Sequence, residues 1–373
     1  MLYGTVSNPA LRVLGAPREY IQGPGAIHEL PHLSGRYGSG RLLAVVDPFV
    51  VGSIRDSLER GFAEAGRTVQ WEVFGGECTE AEGERLAAAA KACDVVAGIG
   101  GGKCIDAGKY AGLRSGKAVF SVPTIASNDA PTSRLIVLYD EAHAVSGTRF
   151  LPFNPDVVLA DTDIIAAAPP RFLRAGIGDA LTKMFEARSV AAGKGGNSFS
   201  ARPPFVAVRL GEICFETILR SGAPCLDALA RGERHADFEE LIEALILLSG
   251  LTFESGGLSI AHAMVRGLTR VPELSAYLHG EQVAYSVLVQ LLVEGDEDLL
   301  HRSIAFNRAI GLPVALADFA LSGAQLEQAI ETIAAGTLTS PFLRNFPTPI
   351  TAADLADAMR RLERLADSVP SER

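Results

Sequence analysis

Apolar positions in the first half of the chain fall into short runs of strand length, separated by stretches whose apolar residues recur at helical spacing. Residues 41–46 (RLLAVV) form one such run and stop at Asp47-Pro48; residues 54–65 then carry a helix. Residues 68–74 (TVQWEVF) alternate as a half-buried strand does, and residues 80–92 are an Ala- and Glu-rich helix. Residues 94–99 (DVVAGI) predict a small buried strand that runs into three glycines. Residues 118–122, 135–138 and 157–160 predict further strands. This alternation specifies an α/β fold with a mostly parallel sheet and helices on both faces.

After Pro169-Pro170 the strand signal fades. Helical spacing runs through residues 177–192, 205–220, 238–251, 260–269, 282–295, 299–309 and 352–367. Residues 1–168 therefore read as an α/β domain and residues 169–373 as an all-helical one. Residues 193–204 (GKGGNSFSARPP) are the most evident loop of the second half.

Composition narrows the classes. A chain of 373 residues with 48% hydrophobic positions can bury a large core, which excludes disorder. A formal charge of −10 argues against nucleic acid as a partner, because phosphate backbones need a basic surface. No apolar run approaches the ~20 residues that cross a bilayer, and no secretory leader is read at the N-terminus. Five cysteines without a CxxC pair fit neither a disulfide framework nor a zinc knuckle, so a cytoplasmic location is expected.

Several segments carry candidate chemistry. Residues 98–106 (GIGGGKCID) follow a strand and open a helix, where free N–H groups attract phosphate; read alone they also fit a plain tight turn. Asp47 ends a strand where a carboxylate accepts hydrogen bonds from ribose hydroxyls and repels a 2′-phosphate; a turn Asp before Pro48 is the plainer reading. Residues 123–133 (PTIASNDAPTS) form a polar loop fit either to line a ligand or to turn. Asp179, read at a helix start, fits a cap as well as a ligand. His262 lies in a small-residue helical stretch and His279 at the next helix start. One carboxylate and two imidazoles can hold a divalent ion, but only a fold can bring residues 83 positions apart together.

The ordered set GIGGGK (98–103), VPTIASNDAPTS (122–133), GIGDALTKMFEA (176–187), AHA (261–263), HGEQVA (279–284) and AIGLP (309–313) resembles the glycerol dehydrogenases of the iron-containing (group III) alcohol dehydrogenase family. The resemblance runs from about Tyr20 to Asn345. It implies an NAD-binding α/β domain and a helical metal- and substrate-binding domain. Asp179, His262 and His279 match the metal ligands, with zinc expected and iron or another divalent ion as alternatives. Lys183 stands where iron-dependent members have a further histidine. Asp47, Gly101, Gly102, Lys103, Thr124, Ser127, Ser133, Leu135 and Tyr139 match NAD-contacting positions, and Asp129 the residue that binds a substrate hydroxyl.

The resemblance implies oxidation of a polyol or vicinal diol to the ketone with hydride transfer to NAD, in a homo-oligomer, octameric in the enzymes it resembles. Other readings are a dehydrogenase for another hydroxylated or anionic substrate, a dehydroquinate synthase-like cyclase, and a nucleotide-binding protein without turnover. Glycerol dehydrogenases read His-Asn-Gly where this chain has Val265-Arg266-Gly267. Arg266, one turn from His262, then favours an anionic substrate, or else points away and pairs with Glu281 or Glu273.

Overall fold

The computed structural model describes residues 6–368. These residues divide into two units: Gly15–Pro169, and residues 170–368 together with residues 6–14. The first unit holds β1 (Glu19–Gly23), β2 (Leu42–Val46), β3 (Val69–Val73), β4 (Val95–Gly100), β5 (Ala118–Pro123), β6 (Leu135–Tyr139), β7 (Val145–Phe150) and β8 (Val157–Asp161). Its helices are α1 (Leu30–Ser34), α2 (Val51–Glu64), α3 (Glu80–Ala89), α4 (Gly102–Ser115) and α5 (Thr162–Ala167).

Six strands form one parallel sheet in the order β1-β8-β5-β4-β2-β3. Alternation along β2 shows why its whole run is apolar. Leu42, Ala44 and Val46 face a core completed by Leu30 and Leu33 of α1 and Ile54, Leu58 and Phe62 of α2. Leu43 and Val45 face the opposite core, with Leu86 of α3 and Ala107, Tyr110 and Ala111 of α4. Both faces are covered, so alternation of polar and apolar residues is lost. The chain leaves β2 toward β3 and leaves β4 toward β5 on the other side. The carboxyl ends of β2 and β4 thus flank a topological switch point, where open α/β sheets bind ligands.

The strand expected at residues 135–138 leaves this sheet. It pairs antiparallel with β7 in a separate hairpin. Asp140 closes the turn, its Oδ1 accepting from the N–H groups of Ala142 and Ala144. A partner this near in sequence needs no crossover helix.

The second unit contains α6 (Pro170–Leu181), α7 (Lys183–Ala192), α8 (Phe205–Ala230), α9 (Phe238–Glu243), α10 (Ser249–Gly256) and α11 (Ile260–Leu268). It continues with α12 (His279–Glu294), α13 (Glu297–Ile310), α14 (Gly323–Thr337) and α15 (Ala352–Ser368). Among the described residues no single helix is long and apolar enough to cross a membrane; the pair Phe238–Gly256 and Ile260–Leu268 passes that test only together, across a 96° bend.

Several boundaries differ from the sequence reading; the helix expected to end at residue 220, for one, runs to Ala230. Residues 6–14 group with the helical unit, not with the α/β unit expected over residues 1–168. Hydrogen bonds to their carbonyls hold them: Arg202 N–H donates to Leu11 O at 2.8 Å, and the Asn197 side-chain Nδ2 to Val13 O at 3.0 Å. The single helix expected over residues 177–192 is two, broken at Thr182. The first begins at Pro170, a residue whose missing N–H costs nothing in the first turn. Asp179 therefore lies near the end of α6, not at a helix start.

Candidate functional site

In the α/β unit, the segment after β4 meets the ends of β2 and β5. Asp47 N–H donates to Ile99 O at 2.9 Å, and Thr124 N–H donates to Gly100 O at 3.1 Å. The glycines are forced by this crowding. A Cβ on Gly100 would lie 2.9 Å from Asp47 Cβ, and one on Gly102 would lie 2.8 Å from the Asn128 amide. Gly101 is extended and immediately precedes α4, so the N–H groups that follow it lie at a helix N-terminus. Asp47 does make the turn expected of it, its Oδ1 accepting from Phe49 N–H at 3.0 Å.

Lys103 reaches over the Tyr139 ring, 4.4 Å from its centroid, and donates to Glu77 Oε2 at 2.6 Å. The buried Lys109 ties the polar loop to the start of β6, donating to Ala130 O at 2.5 Å and Leu135 O at 2.9 Å. Ser127 is half-buried in that loop, and Asp129 and Ser133 are buried. Cys104, on the first turn of α4, is a packing residue: burial pushes its thiol well up, and Sγ faces the carbonyls of Val45 and Ile99.

The helical unit brings together Asp179, His262 and His279. One donor atom from each lies within 4.8 Å of the others, the one such group of His, Cys, Asp or Glu side chains among the described residues. His262 Nε2 is 3.2 Å and His279 Nε2 is 3.7 Å from Asp179 Oδ1. Asp179 is 1% exposed and His279 is 43% exposed at its side chain, so the group is walled on one side and open on the other.

Close helix packing sets this geometry. A Cβ on Gly178 would lie 2.4 Å from Gly280 O, and one on Gly280 only 1.7 Å from Ala175 O. Only glycine at both positions lets α6 and α12 approach so closely. Arg171 of α6 then holds α12 through Glu281, with bonds of 2.9 and 2.8 Å. Glu281 also reaches back to Leu278 N–H at 2.7 Å and so fixes the start of the helix that carries His279. Arg266 therefore finds no partner in Glu281, and it is exposed without an ion pair to Glu273.

The sequence reading did not assign a role to Glu186. It is fully buried and uses both oxygens. Oε1 accepts from the N–H groups of Ser259 (2.8 Å) and His262 (3.0 Å), capping α11 from another helix. Oε2 lies 2.5 Å from His262 Nδ1. A carboxylate on Nδ1 orients the ring so that Nε2 faces Asp179, and the two carboxylates together raise the imidazole's pKa against its burial. A partial signal was present: Lys183 and Glu186 lie at i and i+3 of α7 and so share a face of that helix.

Charge follows from burial and neighbours. Burial works to raise the Asp179 carboxyl, but Lys183 and the two imidazoles outweigh it and hold it well below the usual range. Glu186 is likewise held down by His262 against its burial. His279 is held below the ordinary imidazole value by the desolvation of its inner side and by the positive charges of His262 and Lys183, which together outweigh Asp179.

The family model for iron-containing alcohol dehydrogenases matches residues 17–162. A glycerol dehydrogenase of Thermotoga maritima is 39% identical over 351 residues, covering 93% of this chain and 96% of its own. The chain belongs to the iron-containing alcohol dehydrogenase family. A second member, a glycolaldehyde reductase of Halobacterium salinarum, is 36% identical over 96% of this chain and 98% of its own. The crystal structure of a probable glycerol dehydrogenase from Sinorhizobium meliloti 1021 superposes with a TM-score of 0.88 at 34% identity, covering 96% of this chain and all of that one. This iron-containing alcohol dehydrogenase family member is thus a dehydrogenase by sequence and by fold.

Proposed function

We propose that the protein oxidises a polyol or vicinal diol, of the glycerol to dihydroxyacetone type, with NAD as hydride acceptor and a divalent metal at Asp179, His262 and His279. The observation that carries this reading is the convergence of those three side chains, with Glu186 orienting His262. One carboxylate oxygen and two imidazole nitrogens form a donor set that fits zinc, and three protein ligands is the number a catalytic zinc site keeps. When bound there, the metal supplies Lewis-acid polarisation of a substrate oxygen.

The remaining roles belong to the chain itself. Asp47 receives the ribose hydroxyls and disfavours a 2′-phosphate; the N–H groups of Gly101 and Gly102, with Lys103, face the pyrophosphate. Thr124, Ser127, Ser133, Leu135 and Tyr139 line the rest of the cofactor, and Asp129 orients a substrate hydroxyl. The similarity to the Thermotoga maritima glycerol dehydrogenase supports the polyol. The protein works in the cytoplasm as a homo-oligomer.

The test is NAD reduction by the purified protein with a panel of polyols, vicinal diols and 2-hydroxy acids, before and after chelation. Polyol-dependent reduction that disappears with chelator and returns with zinc is the expected outcome. Full turnover by a preparation shown to be metal-free sinks the reading.

A further inference from the structure

We infer that the Lys183 ammonium is a built-in counter-ion that occupies the metal position in the metal-free chain and competes with the metal for it. This rests on the reading of Asp179, His262 and His279 as metal ligands. Lys183 opens α7, one turn beyond Asp179 across the break at Thr182, and its side chain is 1% exposed. Nζ donates to Asp179 Oδ1 at 2.8 Å and lies 3.1 Å from His262 Nε2. These are the same two donor atoms that converge with His279 Nε2.

The arrangement answers a physical need. An ionised carboxylate as buried as Asp179 must have a paired positive charge. His262 Nδ1 is committed to Glu186, so Nε2 can accept from an ammonium just as it can donate a lone pair to a metal. The face of Phe253, whose ring centre is 5.6 Å from Nζ, adds a further contact that favours positive charge. An ammonium and a divalent ion repel, and both cannot hold Oδ1 and Nε2 at bonding distance. Metal loading therefore displaces Nζ, and Lys183 weakens metal binding while it stabilises the empty site.

The experiment titrates metal-free full-length protein with zinc against a chromophoric chelator and follows thermal unfolding with and without zinc. Wild type, Lys183→Met, Lys183→Gln and His279→Ala are compared. Lys183→Met should bind zinc more tightly than wild type, by on the order of tenfold or more, since no like charge has to be displaced from the site. Its metal-free form should unfold at a lower temperature than metal-free wild type, with the difference removed by zinc. Lys183→Gln retains a donor for Asp179 without the charge, should shift affinity in the same direction, and carries the comparison if metal-free Lys183→Met does not fold. Equal or weaker zinc binding in both neutral variants, with one zinc per wild-type chain that is lost in His279→Ala, overturns the Lys183 inference alone. No zinc bound by any of the chains overturns the metal assignment and this inference with it.

Discussion

Glu186 of α7 serves α11 twice, accepting from the N–H groups of Ser259 and His262 at its start and facing the Nδ1 of the same histidine. Exchange for Gln keeps the shape but turns one acceptor into a donor facing donors. Leaving such buried groups unmatched costs about 1–3 kcal/mol. Glu186→Gln should lower stability by that amount in denaturant unfolding and weaken zinc binding roughly 10- to 100-fold, as loss of an outer partner does. Unchanged zinc affinity in a folded Glu186→Gln protein contradicts the orienting role. At the other site, Asp47→Ala should raise kcat/KM for NADP relative to NAD, since the like-charge clash with a 2′-phosphate goes with the carboxylate. Steady-state kinetics with both cofactors check it. The three candidate ligands could be picked out from short motifs in the sequence. Glu186 escaped because its spacing from Lys183 marks only a shared helix face, while its role depends on where α11 begins.

Among the elements, the contact between α6 and α12 is the tightest at the site. Gly280→Ala places a methyl carbon against Ala175 O, and backbone rather than a flexible side chain must move. The expected loss is about 1–3 kcal/mol. Zinc affinity should fall in parallel because His279 begins α12. Gly52→Ala in α2 meets no atom within 4 Å and serves as the contrast; it should be neutral or stabilising by about 0.5–1 kcal/mol. Unfolding curves of the two variants decide the matter. The buried strands β2, β4, β5 and β8 were plain in the sequence because two covered faces demand unbroken apolar runs. The strand β1 was not, since EYIQG is short, mixed in polarity and paired with β8 some 138 positions away. The break at Thr182 was hidden for a similar reason. Its hydroxyl bonds Asp179 O and Glu186 Oε2, a local choice that residue spacing does not reveal.

Across the whole molecule all five cysteines are free and buried. Burial pushes Cys225 up to about 12 and raises Cys78 and Cys104 as well. Thiolate is the reactive form, so a thiol reagent should label less than one group quickly in the native protein and all five after denaturation. Rapid native labelling would count against this packing. The pairing of residues near Leu11 with Arg202 bears on how the chain is made. A ribosome makes the α/β unit as one continuous stretch, but the helical unit combines residues 6–14, made before it, with residues made after Pro169. At 5–20 residues per second, Leu11 waits on the order of ten to forty seconds before Arg202 is synthesised. The unit made first can close on its own during translation. The leading segment, with Leu11 and Leu14 both exposed even in the finished fold, must stay soluble until its partner arrives.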